Sequence, residues 1–142
     1  MPPTLKREAY PQDSATWPAF INAADIEGLF VDGKDNGIIE FNGDDWWSCK
    51  HCGCWCPGGI TFFNISSLHV HDLSLHNPAD HFFRNCKNTH VVLERLNISA
   101  PHTSPNTDEI NFYGVFDLFL RDSVISNGDD CVAVQLPGDY PE

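Results

Sequence analysis

Two short runs carry the side chains best suited to chemistry, Asn106-Thr107-Asp108 and Gly128-Asp129-Asp130-Cys131. Carboxyl groups that meet in pairs can divide the work of proton transfer. On a sugar, a general acid protonates the leaving oxygen while a carboxylate activates water or attacks the ring. Like charges held close together raise the pKa of at least one group, which keeps a proton available for the acid role. Asp-rich turns next to Gly are also common as solvated loops. Whether these three carboxylates do chemistry therefore depends on whether the fold brings the two runs together.

The elements that must do so are visible as a repeat. Leu68-x-Val70-x-x-Leu73-x-Leu75 recurs as Val91-x-Leu93-x-x-Leu96-x-Ile98, shifted by 23 residues (91 − 68), and as Leu118-x-Leu120-x-x-Ser123-x-Ile125, shifted by a further 27 (118 − 91). Each copy reads as two short strands with a one-residue corner. Alternate side chains of a strand share a face, so the eleven apolar residues of the three copies are expected in one interior. A unit this short cannot bury its own apolar face, whereas stacked units form a continuous core. With Asn, Gly, Asp, Ser and Pro clusters between strands and no leucine-rich Asn signature, the pattern predicts an all-β parallel β-helix of four or five coils; an evenly spaced sandwich is the competing architecture. The distance from Asp108 to Asp130, 22 residues (130 − 108), is close to one repeat. It places them on one face of neighbouring coils. Residues 1–20, with four prolines, read as an extended lead-in, and residues 21–142 as a partial β-helix domain. Trp17 to Ile26 is the best candidate for a helix.

The ordered pair of Asp motifs resembles the first two signature motifs of the polygalacturonase family of glycoside hydrolases. Other stretches agree: Asp32-Gly33 through Gly43-Asp44-Asp45-Trp46-Trp47, the run from Gly59 to Asn77, and Ala100-Pro101 followed by Ser104-Pro105. The likeness covers Trp17 to Val134. It implies a right-handed parallel β-helix, hydrolysis of α-1,4 links in polygalacturonan with inversion, no cofactor and no metal. It also implies Asp129 as general acid, Asp108 and Asp130 as the pair that holds and deprotonates water, and Asn106 and Gly128 as shapers of the cleft floor. The implied setting is extracellular or the cell wall, with pectin as partner and a monomeric enzyme.

Three departures qualify the resemblance. Glu109 stands where the family has a small Gly, and is expected to add negative charge beside the base. The family's Asn-Ser-Pro-x-Trp segment is kept only in part, as Asn77-Pro78-Ala79-Asp80-His81. Twelve residues follow Asp130, and they hold neither Gly-His-Gly nor Arg-x-Lys, the groups that the family sets beside the acid and on the substrate carboxylate. A chain truncated in this way is expected to be weakly active or inactive, and the resemblance places the partner of Cys131 beyond Glu142.

The formal net charge of −12, with eight scattered Lys and Arg, excludes nucleic acid as an expected partner. No apolar run approaches the roughly 20 residues of a membrane span, and no signal peptide is visible at Met1 to Tyr10. Asn64-Ile65-Ser66 and Asn97-Ile98-Ser99 are weak glycosylation signals of a secreted protein. Cys49, Cys52, Cys54 and Cys56 allow a zinc module, although the tight Cys-x-Cys spacing fits local disulfides or thiols better. His69, His71, His76, His81 and His90 read as surface or turn residues. Trp46 and Trp47 read as cap-packing rather than sugar-stacking aromatics, and Asp32 to Gly37 as a turn, since Lys34 occupies what would be a calcium-ligand position. The alternative functional class is a noncatalytic β-helix that binds carbohydrate or protein.

Overall fold

A computed structural model describes residues 18–50 and 56–135. Within them the chain runs β1 (Ala19–Ala24), β2 (Glu27–Glu40), α1 (Asp44–Lys50), β3 (Gly58–Phe63), β4 (Ser66–His76) and β5 (Phe83–Cys86). It continues through β6 (Thr89–Ser99), β7 (Ile110–Tyr113), β8 (Phe116–Arg121), β9 (Val124–Ser126) and β10 (Val132–Gln135). Short and long strands alternate because they belong to two sheets. One has the order β1-β3-β5-β7-β10; the other has β2-β4-β6-β8, with β9 also pairing β6. Every pairing is parallel, between corresponding strands of successive coils. This is a parallel β-helix.

The three sequence copies stack in register. Leu68 pairs Val91, which pairs Leu118; Val70 pairs Leu93, which pairs Leu120; Leu75 pairs Ile98, which pairs Ile125. Leu68, Val70, Leu73, Leu75, Val91, Leu93, Leu96 and Ile98 are buried in one core, against which Leu118, Leu120 and Ile125 pack half-buried. From the other sheet come Ile60, Phe62, Phe83, Ile110 and Phe112.

The corners follow from backbone conformation. The one-residue corners at Asp72, Arg95 and Asp122 have φ of 56°, 49° and 51°. The two-residue turns between sheets open on Asp25, Asn64, Lys87 and Gly114, again left-handed at 56°, 50°, 55° and 56°. Asp, Asn and Gly tolerate this region best, so the polar punctuation of the sequence marks where the coil bends. The second turn residue points inward: Ile65 in one coil, Asn88 in the next. Asn88 is fully buried, and its amide accepts from Ile65 N–H at 2.9 Å and donates to Phe62 O at 3.1 Å, which joins two coils.

Two expectations change. The stretch expected as a helix forms β1, because residues 19–24 pair edge-on with β3. A seven-residue helix, α1, stands where none was expected. It is tied to the loop after β4, with Trp47 Nε1 donating to Pro78 O at 2.9 Å.

Candidate active site

Asp108 immediately precedes the strand β7 by one residue, Glu109, and Asp129 and Asp130 precede β10. Since Ile110 pairs Val132, Asp108 and Asp130 lie at equivalent positions of adjacent coils. The backbone confirms it: Phe82 N–H donates to Asp108 O at 2.9 Å and Glu109 N–H to Asp130 O at 3.1 Å. The expected one-coil stacking of the two motifs is therefore met. Asp129 and Asp130 are exposed, and Asp108 is half-buried.

Buried hydroxyl and amide groups fix the two loops to each other. Thr107 is buried, with Oγ1 at 2.7 Å from Ser104 Oγ and 3.4 Å from Gly128 N–H. Asn127 Nδ2 donates to Thr107 O and Asp130 O, both at 3.0 Å, so one side chain bridges both motifs. Gly128 is required by close approach, since a Cβ there would lie 2.2 Å from Ser104 O. Asn106 sits exposed in the turn at φ 49°. Asn127 was not singled out in the sequence, and Ser104 only as part of the stretch Ser104-Pro105; both are ordinary turn residues until the coils stack.

Asp108 has a second partner, His81, whose Nδ1 is 3.3 Å from Asp108 Oδ1. Burial pushes the Asp108 carboxyl up. The nearby His81 ring, the backbone and Asn111 outweigh it, so the group is held below its ordinary range. Asp108 is thus held on the ionised side at neutral pH. His81 is half-buried in the site rather than a surface or turn residue.

Glu109 overturns its expectation. It is wholly buried, Oε1 accepts from Ser126 N–H at 3.1 Å, and Oε2 has no partner. Burial pushes its carboxyl up to about 8, so at neutral pH it carries its proton and puts no charge beside Asp108. Asp108 is half-buried at the site, while Glu109 beside it is fully buried. Cys131 nearby is exposed, and its thiol is raised by partial burial and by the neighbouring Glu109 and Asp130.

Elsewhere, Asp32, His71, Glu94 and Arg121 form a ladder in register across four coils. His71 is buried there, contrary to the surface reading, while His69 is half-buried with Nε2 3.2 Å from Glu94. Asp32, His71 and Asp72 bring ligand atoms within 4.8 Å of one another. Their charge is already met by Lys34, 2.7 Å from Asp32, and by Arg95, which clasps Asp72 at 2.7 and 2.8 Å. Lys34 N–H also donates to Asp32 Oδ1 at 2.8 Å; the segment expected as a turn lies within β2, at a shift of register between Asp32 and Gly37. Cys52 and Cys54 of the suggested zinc module lie outside the described residues.

The family model for glycosyl hydrolases family 28 matches residues 5–139. The chain belongs to this family. It is 35% identical over 132 residues to a polygalacturonase of Malus domestica, a match covering 87% of this chain and 27% of that one. It is 34% identical over 126 residues to polygalacturonase QRT2 of Arabidopsis thaliana, covering 83% and 27%. Against polygalacturonase-2 of Solanum lycopersicum it is 34% identical over 131 residues, covering 87% and 27%. The chain thus spans about a quarter of the length of these relatives. Among the described residues no helix is long and apolar enough to cross a membrane.

Proposed function

We propose that this family 28 chain carries the acid and water-holding groups of a polygalacturonase, which hydrolyses α-1,4-galacturonosidic bonds of pectin with inversion, outside the cell or in the cell wall. The observation that carries this reading is the stacking of Asp108 on Asp130 in adjacent coils, with Asp129 beside them and Asn127 tying the loops together. Asp129 would give its proton to the glycosidic oxygen as the C1–O bond breaks. Asp108 and Asp130 would hold a water on the opposite face, and its oxygen attacks C1 while its proton passes to a carboxylate. The names of the relatives favour a polygalacturonan substrate over other glycosides.

The test is reducing-sugar release from polygalacturonic acid. The 142-residue chain should release little. Extended by the remaining length of the Malus domestica relative, it should be active. There Asp129→Asn should lower kcat by roughly 10²–10⁴-fold, the usual worth of general acid catalysis, with KM little changed. Asp108→Asn and Asp130→Asn should also be severe, and not additive with Asp129→Asn. Full activity of Asp129→Asn would remove the acid assignment. Substrate binding without turnover by the extended chain would favour a noncatalytic module.

A further inference from the structure

His81 lies one coil before Asp108, since Phe83 pairs Ile110. The His81 and Asp108 side chains are each 16% exposed, and the facing atoms are 3.3 Å apart. His81 Nδ1 is itself shut off from solvent and makes no well-directed hydrogen bond. A buried polar atom left unpaired is costly, and Asp108 Oδ1 is the acceptor in reach. Catalytic hydrogen bonds that are long in a ligand-free site commonly tighten when substrate binds.

We propose that His81 is a positioning residue for Asp108, its Nδ1–H holding one carboxylate oxygen so that the other is turned to the attacking water. The pairing stands on geometry alone; its consequence for catalysis rests on the hydrolase reading above. The ionised state of Asp108 agrees with it, because burial alone would raise that carboxyl and His81 is the leading group that opposes burial. The surrounding charges do not supply the same effect. Asp130 follows in register on the next coil with Asp129 beside it, and both are acidic. Arg84 on the coil of His81 is ion-paired to Asp80. Tyr113 on β7 is raised by burial and remains neutral, as does Glu109.

Carbon-detected NMR titration of the 142-residue chain reads the Asp108 carboxyl directly, and imidazole nitrogen shifts report which ring nitrogen of His81 carries the proton. The neutral ring should hold its proton on Nδ1. The Asp108 midpoint should move up in His81→Leu, and less so in His81→Asn, which keeps an N–H near the same place. In the extended chain His81→Leu should shift the acidic limb of kcat/KM to higher pH, because the base must be ionised. Its loss in kcat should be smaller than the roughly 10²–10⁴-fold of a lost acid or base. A merely structural role would lower activity at all pH values and leave that limb in place. A bare Nδ1 facing Asp108, or an unmoved Asp108 midpoint, overturns the proposal. If His81→Leu does not fold, the wild-type tautomer and His81→Asn decide it. A shifted midpoint combined with full activity of Asp108→Asn would overturn the base assignment and leave the pairing.

Discussion

At Asp108 and Glu109 two adjacent carboxyl groups meet different surroundings, and their acidities part accordingly. Asp108 keeps His81 beside it and is held below the ordinary carboxylate range, whereas Glu109 has only Ser126 N–H to set against full burial. The consequence for stability has a definite sign. Unfolded, Glu109 loses its proton near 4.5; folded, near 8. Between those values the folded state binds more protons, so the contribution of Glu109 is complete below 4.5 and is lost as pH rises through about 8. Glu109→Gln keeps the shape and the acceptor for Ser126 without the titration. Urea midpoints for wild type and variant should therefore diverge as pH rises across that window, with the variant the more stable at its upper end. Parallel curves would mean that Glu109 is ionised in the folded state. The charged motifs themselves were legible, since Asp108, Asp129 and Asp130 declare their chemistry by type and spacing. The side to which Glu109 points was not, because strand alternation assigns a face only once one neighbour's face is known. His81 was equally hidden: its partner is 27 residues away (108 − 81) and meets it only after the coils stack.

The elements show the same division between local and non-local information. The repeat copies were readable because inward residues recur at fixed offsets and the left-handed corners are polar. In the sequence, apolar Trp17, Phe20, Ile21 and Ala24 fall at helical spacing, yet residues 19–24 pair with β3. Propensity in so short a segment is a weak prior against a full ladder of parallel hydrogen bonds. Asn88 belongs at this scale because its effect lies between coils. It occupies an inward turn position that Ile65 fills in the preceding coil, and its amide satisfies Ile65 N–H and Phe62 O. Asn88→Ala removes both bonds at a buried site, and each orphaned backbone group costs roughly 1–3 kcal/mol. The unfolding free energy should drop by about the sum of two such terms, with Asn88→Asp less harmful to the Ile65 bond than to the Phe62 bond. A loss near zero would show that the turn closes without the side chain.

For the whole molecule, what matters is that burial in a solenoid is shared between neighbours. The three sequence copies are equivalent as patterns, but their places in the stack are not. Leu93 lies between β4 and β8 and is 0% exposed, while its register partner Leu120, on the last strand of that sheet's order, is only half-buried. Val91 and Leu118, and Ile98 and Ile125, differ in the same way. Leu→Ala at a fully buried site costs roughly 2–5 kcal/mol, through lost transfer energy and the cavity left behind. At a half-open site less area is lost from the core, and the remaining groups collapse or admit water. Leu93→Ala should therefore cost the chain at least about twice what Leu120→Ala does, on the area argument of roughly 25 cal/mol per Å². Because solenoid stability is approximately a sum of coil and nearest-neighbour terms, Leu120→Ala should chiefly loosen the coil that presents Asp129 and Asp130. Amide exchange would then quicken in β8 and β10 while β4 and β6 keep their protection. Leu93→Ala, by contrast, should speed exchange on both sides of the stack. Equal free-energy losses, or uniform acceleration of exchange in both variants, would mean that the coils unfold as one cooperative unit and that position in the stack carries no energetic weight.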